Sequence, residues 1–307
     1  MAAMAPDELA GKLASGLLAF PVTHFKDSLA FDELPFREHV EWLLGFSPAG
    51  MFAVGGAGEF FSLTLAEFSA VVAAAVSQTK GRVPVVAGCG YGTAMAKEFA
   101  RTAEEAGADG LLLMPPYLVK AEVAGLVAHV EAVCASTKLG VIFYNRDNAV
   151  LDESALEQLC ARAPNLVGFK DGYGDTELMK SVCARFRGRL TTICGMPTAE
   201  TFALSYFEMG ADTYSSAIFN FLPRFAMDFY SAARGGDRER VAKLLRDFVD
   251  PYVEIRSRHK GYAVSIVKAG MRAVGRPAGP VRPPLTDLDT EEMEILAELV
   301  SNVKGTR

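Results

Sequence analysis

Eight short runs rich in apolar, β-branched and aromatic residues recur along the chain, most of them entered through Gly, Pro or a turn. They are GLLAFPVT (16–23), GMFAVGG (50–56), VPVVAG (83–88), GLLLMPP (110–116), GVIFYN (140–145), LVGFK (166–170), LTTICG (190–195) and DTYSSA (212–217). Their apolar stretches are near-continuous, the pattern of parallel strands covered on both faces. Between them lie segments with apolar residues at helical spacing, such as LTLAEFSAVVAAAVSQT and AMAKEFARTAEEAGAD. Successive strand ends are roughly 20 to 35 residues apart, the length of one βα unit. One junction occurs nearly twice, EAGADGLLL (105–113) and EMGADTYSS (208–216). In each, Gly can end a helix and Asp can start the turn into a strand.

Eight such units, with no change of composition between them, predict a closed (β/α)8 barrel of the TIM type. A doubly wound sheet is the alternative, because strand number does not prove closure. After residue 217 the pattern turns to helices only. FLPRFAMDFYSAAR, DRERVAKLLRDFVDPYVEIRS and GYAVSIVKAGMRAVG are each amphipathic at helical spacing. A proline-rich turn, RPAGPVRPPL (276–285), leads to a last helix that Asp289 and Glu292 can open as a capping box. The expected organisation is a barrel over residues 1–220. Residues 221–307 add the last barrel helix and a C-terminal helical extension packed on the barrel, all one structural unit.

Composition narrows the function classes. The chain has 307 residues, 50% hydrophobic and 22% charged, which suits a soluble globular protein with a large core. A net charge of −6, without a basic run interleaved with aromatics, argues against a general nucleic-acid binder. It leaves room for a local basic pocket that takes a small anion. The cysteines at 89, 134, 160, 183 and 194 are odd in number and form no metal or CxxC spacing, as expected of reduced thiols in the cytoplasm. The opening stretch MAAMAPDELAGKLASGLLAFPVT lacks a basic n-region and its apolar run is short, so neither a signal peptide nor a membrane span is expected.

In a barrel of this kind the chemistry sits at the C-terminal ends of the strands. Those ends carry Thr23, the loop 55–59, Gly88, the stretch 115–117, Tyr144 to Arg146, Lys170, Gly195, Ser215 and Ser216. They hold no His/Asp/Glu cluster suited to a metal. Lys170 ends an apolar strand. It either reaches a rim and pairs with an acid, or it is an amine that loses its proton easily and attacks carbonyls as a Schiff-base nucleophile. Asp171 should point to the opposite face of the strand. Tyr144 ends the preceding strand, within side-chain reach of Lys170, where a phenol can move protons or simply anchor a loop.

The stretch AVGGAGEFFSLT (53–64) is a strand, a glycine turn and a helix start, with Thr64 and Glu67 as a capping box. Backbone N–H groups at Gly55, Gly56 and Ala57 can cradle a carboxylate. A dinucleotide fingerprint fails, because Phe61 stands where its third Gly belongs. Arg146 can hold a second carboxylate of a substrate or pair with Asp147. The four histidines, at 24, 39, 129 and 259, are scattered and read as surface or capping residues.

Three of these stretches, GGAGEFFSLT, YNRDN and VGFKDGYGD, lie in this order on the second, fifth and sixth runs. Together they resemble the dihydrodipicolinate synthase / N-acetylneuraminate lyase family, and the likeness extends from FPVTHF (20–25) to VKAGMRAVG and VRPPL near the C-terminus. The resemblance implies a class I Schiff-base (β/α)8 enzyme that needs no cofactor and forms a homotetramer. It makes Lys170 the imine-forming lysine and Tyr144 the proton-shuttling tyrosine. Gly55, Gly56 and Ala57 become the loop that binds the carboxylate of a 2-oxo acid.

The departures are informative. The synthase pattern GTTGE has two threonines, where this chain has Gly56 and Ala57, and a tyrosine after Tyr117, where this chain has Leu118. Without those hydroxyls the proton relay of dihydrodipicolinate synthesis is missing. GGxGEFFSL and YNRDNAV instead resemble the 5-dehydro-4-deoxyglucarate dehydratase branch, whose members decarboxylate as they dehydrate. That resemblance implies a small 2-oxo dicarboxylic sugar acid as substrate, with Arg146, Gly195, Ser215 and Ser216 among its contacts. Two rivals stay open: an aldolase that cleaves a 2-keto-3-deoxy sugar acid, and a barrel that only senses 2-oxo acids.

Overall fold

The computed structural model describes residues 4–117 and 120–304. Eight strands form it: β1 Leu18–Ala19, β2 Gly50–Ala53, β3 Val85–Cys89, β4 Gly110–Leu113, β5 Gly140–Asn145, β6 Leu166–Asp171, β7 Thr191–Cys194 and β8 Thr213–Ser216. Each pairs in parallel with its sequence neighbours, and β8 returns to β1. The sheet is therefore a closed (β/α)8 barrel, and the doubly wound alternative falls. β1 is much shorter than the run at 16–23, because Pro21 has no N–H to offer a neighbouring strand. Beyond it the Val22 N–H donates to the side chain of Asn220 at 3.0 Å instead.

The continuous apolarity of the strands has its reason in two cores. Leu18, Phe52, Val86, Leu112, Ile142, Val167 and Ile193 fill the barrel interior. Their neighbours along the chain, such as Met51, Val85, Leu111, Val141 and Leu166, face outward and pack under the helices. The N-terminal mouth is plugged by helix Pro6–Leu13, whose Leu9 and Leu13 join the interior cluster. Glycines make room for the plug: a Cβ on Gly110 would lie 2.5 Å from Leu9 Cδ2, and one on Gly140 would lie 2.8 Å away.

The repeated Gly-Ala-Asp junction builds the same device twice. Gly107 and Gly210 take positive φ (+87° and +103°) after their helices, a conformation that costs glycine little. Asp109 then accepts a hydrogen bond from the Val85 N–H at 2.9 Å, and Asp212 one from the Thr192 N–H at 2.7 Å. Each carboxylate ties its own strand to the strand before it. Capping boxes open helix Leu65–Thr79 (Thr64, Glu67) and helix Thr290–Lys304 (Asp289, Glu292).

After β8 come helices Pro223–Arg234, Arg238–Leu244, Asp250–Arg256, Tyr262–Ala273 and Thr290–Lys304. A π-helical turn at Leu245–Val249 joins the second of these to the third, next to Pro251, which has no N–H for a regular ladder. The histidines correct the sequence expectation. His24, His39 and His129 are buried, and His259 is exposed. His39 Nε2 lies 3.0 Å from Asn220 Oδ1, and His129 Nδ1 lies 2.9 Å from Thr93 Oγ1. Burial holds His24 down at about 2 and His39 at about 4, so both rings are neutral parts of the core. Among the described residues no helix is long and apolar enough to cross a membrane.

Candidate active site

The C-terminal ends of β5, β6 and β7 meet at a cavity of about 370 Å³, within the range of small-molecule sites. β5 and β6 are paired so that Tyr144 lies opposite Lys170, and both side chains enter this cavity. Lys170 is 4% exposed. Its Nζ sits 3.7 Å from the centre of the Tyr144 ring, 5.4 Å from that of Phe20 and 3.5 Å from the Gly195 carbonyl oxygen. No carboxylate of the described residues lies within ion-pairing distance of it, so the rim salt bridge is absent. Burial lowers the amine below its ordinary pKa; the Tyr144 phenol pulls the other way and the Arg146 cation adds to the lowering.

Tyr144 is fixed from two sides. Its hydroxyl donates to the Gly195 carbonyl at 2.8 Å and accepts from Arg146 Nη1 at 2.9 Å. Burial works to raise this phenol, but the Lys170 and Arg146 charges and the Arg146 hydrogen bond outweigh it and leave the pKa lowered. The pull of Lys170 vanishes once that amine is neutral; the pull of Arg146 does not. Arg146 also reaches Asp147 at 3.3 Å, the protein partner expected for it, but the Tyr144 hydroxyl, which was not foreseen as its partner, is nearer.

Two glycines leave space for this pair. A Cβ on Gly195 would lie 2.5 Å from Lys170 Nζ, and one on Gly172 would lie 2.7 Å from the Tyr144 ring. Asp171 turns to the other side of β6. It accepts from Tyr206 Oη at 2.5 Å, from Asn145 Nδ2 at 3.2 Å and from the N–H groups of Tyr173 and Gly174. These bonds hold the turn that follows Lys170.

The glycine loop after β2 contributes Gly56 and Ala57 to the cavity wall, while Gly55 lies buried behind them against Phe20. Its shape is fixed by partners from distant parts of the chain. Thr23 Oγ1 donates to the Gly58 carbonyl at 2.6 Å. Glu59, at φ +56°, pairs with Lys268 Nζ at 2.7 Å and accepts from the Arg282 N–H at 3.0 Å. Both members of the Glu59–Lys268 pair are fully buried. Ser215 lines the cavity; Ser216 does not, and donates instead to the buried Glu200 at 2.5 Å. Leu118 lies outside the described residues. Among those residues no group of three or more His, Cys, Asp or Glu is placed to hold a metal ion.

Part of the wall was not foreseen. Thr198 follows β7, and Tyr252, Arg256, Ala263 and Val264 come from the C-terminal helices. Tyr252 and Arg256 are four apart, so they share one helix face. Amphipathic spacing could have flagged that face as packed, but not what it packs against.

Comparison with known proteins fits this geometry. The Dihydrodipicolinate synthetase family matches residues 13–303. A Methylobacterium radiotolerans protein named "Probable 5-dehydro-4-deoxyglucarate dehydratase" is 62% identical over 302 residues, covering 98% of this chain and 99% of its own. A Saccharopolyspora erythraea protein of the same name is 60% identical over 306 residues, with 100% and 99% covered. Among solved structures, dihydrodipicolinate synthase from Bacillus clausii superposes with a TM-score of 0.87 at 28% identity, covering 96% of this chain and 99% of that one. YagE from Escherichia coli K12, in complex with pyruvate, gives 0.84 at 26% identity, with 94% and 98% covered. A (β/α)8 barrel with a lysine and a tyrosine at adjacent strand ends, matched over nearly its whole length, places this chain in the Dihydrodipicolinate synthetase family.

Proposed function

We propose that this chain is a decarboxylating dehydratase. It converts 5-dehydro-4-deoxyglucarate into 2,5-dioxopentanoate, CO2 and water through an imine on Lys170. The observation that carries the reading is a buried amine with no acid partner, set against a phenol, in a chain 62% identical to a relative of that name.

Lys170, whose burial favours the neutral amine, attacks the ketone next to the first carboxylate, and water leaves as the imine forms. That carboxylate rests on the backbone N–H groups of Gly56 and Ala57, with Gly55 setting the turn behind them. The protonated imine is the electron sink. Tyr144 assists removal of a proton from the neighbouring deoxy carbon, and the β-hydroxyl departs as water. Arg146 tunes the phenol and Gly195 orients it; Ser215 offers a hydroxyl to the substrate chain. The conjugated iminium then takes up the electron pair of the bond to the far carboxylate, which leaves as CO2. The dienamine so formed is protonated on carbon as its enol becomes the aldehyde, and hydrolysis of the iminium frees 2,5-dioxopentanoate and returns the lysine.

The test is intact mass after borohydride reduction with this substrate, followed by peptide mapping. The expected result is an adduct on Lys170 whose mass reports loss of water and CO2. A pyruvate-sized adduct would mean an aldolase instead. No adduct, with the ligand shown to bind, would mean a sensor and sink the proposal. The homotetramer and cytoplasmic location belong to the same reading, and a protomer-sized mass by light scattering would remove the tetramer.

A further inference from the structure

We propose that Arg256, braced by Thr198, receives the far carboxylate of the substrate, which makes the C-terminal extension a specificity element of the site. The inference rests on the dehydratase reading, which supplies a substrate with two carboxylates.

Among the described residues three basic side chains line the cavity: Lys170, Arg146 and Arg256. Lys170 is the nucleophile of the proposed chemistry. Arg146 is occupied by the Tyr144 hydroxyl and Asp147. Arg256 is half-buried, and its hydrogen bond goes from Nη1 to Thr198 Oγ1 at 2.6 Å. No carboxylate of the described residues lies within ion-pairing distance of it. A guanidinium has five N–H donors in a planar fork that matches a carboxylate, so most of this one's donors have no protein acceptor. Burial works against its charge; the buried Glu200 favours that charge only from beyond ion-pairing distance.

The surroundings hold this cation in place. Tyr252, one helical turn before it on the same face, is fully buried and also lines the cavity. The helix that carries both starts at a π-helical turn, a feature often found beside functional sites. Thr198 sits at φ +51°, a left-handed conformation unusual for a β-branched residue. Strain of this kind persists where the surroundings over-determine the backbone, and here it accompanies a hydroxyl that meets Arg256.

The role has a definite energetic character. A cation that grips the departing carboxylate stabilises the bound substrate, and that contact weakens as CO2 leaves. It therefore favours binding and selection of the dicarboxylate rather than the chemical step. Arg256→Gln is expected to raise KM for 5-dehydro-4-deoxyglucarate by roughly 10- to 100-fold, with kcat held or raised. Arg256→Lys should fall between, since a point charge replaces the fork.

The experiment measures kcat and KM of wild type, Arg256→Gln, Arg256→Lys and Thr198→Val. The substrates are the dicarboxylate and its analogue with a primary alcohol in place of the far carboxylate. The expected result is a wild-type preference for the dicarboxylate that collapses in Arg256→Gln. Thr198→Val, which removes the brace, should weaken it in part and stands in if the arginine variants do not fold. Borohydride trapping of pyruvate, which has no second carboxylate, is the reference for Lys170 in every variant. A dicarboxylate preference unchanged in the variants, with the Lys170 adduct still forming, overturns the role of Arg256 and leaves the dehydratase reading standing. A drop in kcat at constant KM overturns it too. Absence of the substrate adduct on wild-type Lys170 is the separate failure of the dehydratase reading.

Discussion

Lys170 and Lys268 are both withdrawn from solvent, at 4% and 0% exposure, and burial pulls both below the ordinary lysine pKa. Their partners differ. Lys268 meets Glu59 at 2.7 Å, donates to the Pro280 carbonyl at 2.8 Å and lies 4.3 Å from the centre of the Phe25 ring. Lys170 has an aromatic face and one distant carbonyl. A carboxylate at contact pulls a buried amine back toward its charged form, so Lys268 serves as a tie between the glycine loop after β2 and the C-terminal extension. Without such a carboxylate, burial works toward the neutral amine, which is the form that attacks carbonyls. Burial alone does not make a lysine reactive; the missing acid does.

Replacing each lysine by Met sharpens the contrast, because the two changes should move stability in opposite directions. Lys170→Met should lower kcat/KM by about 10⁴-fold or more, since no other group can form the imine. It should leave the melting temperature unchanged or higher, because an unpaired buried amine opposes folding. Steady-state kinetics and calorimetry on one sample check both halves. Lys268→Met should instead strand Glu59 and destabilise the fold by about 3–5 kcal/mol. Adding Glu59→Gln should recover part of that loss; if the double variant is as unstable as the single, the pair is not what ties the loop.

A smaller effect probes the space around the Lys170 amine. Gly195→Ala would place a methyl group 2.5 Å from Lys170 Nζ. The amine must move, and kcat should fall by roughly 100-fold with little change in melting temperature. The mildest effect concerns the buried Glu200, which burial raises from 4.5 to about 7. Between those values the folded state keeps a proton that the unfolded state has released, so stability falls as pH rises through that window. The slope should be about 1 kcal/mol per pH unit, and denaturant titrations from pH 4.5 to 7.5 should show it flattened in Glu200→Gln.

The barrel was legible because its signal is local. Continuous apolar strands, the Gly-Ala-Asp junctions and two capping boxes each declare themselves within a dozen residues. Lys170 and Tyr144 stood out only as a pair on adjacent strand ends, because alone the lysine also reads as a rim ion pair and the tyrosine as a loop anchor. What escaped depends on long-range contact. Glu59 reads as one more acid in a loop until Lys268 and the backbone of Arg282, 223 positions away, close on it. Arg256 and Tyr252 sit on a helix whose amphipathic pattern gives no sign of the cavity it overhangs. The buried histidines were missed for the same reason, since burial under distant parts of the chain keeps them neutral and sets them beside partners such as Asn220 and Thr93. Ser216 looked equivalent to Ser215, but alternation along β8 sends it away from the cavity to Glu200.

The leucine stopper formed by helix Pro6–Leu13 has a consequence for traffic. With the packed interior above it, it closes the far end of the barrel, so the cavity at the C-terminal strand ends is the flask, its neck overhung by Tyr252 and Arg256. On the proposed chemistry, substrate, CO2 and dioxo acid all share that neck. Imine formation and dehydration each release a water at the floor of the flask, before hydrolysis of the imine consumes one. The vessel thus generates the reagent for its own last step, and the net water that leaves is the one the equation requires.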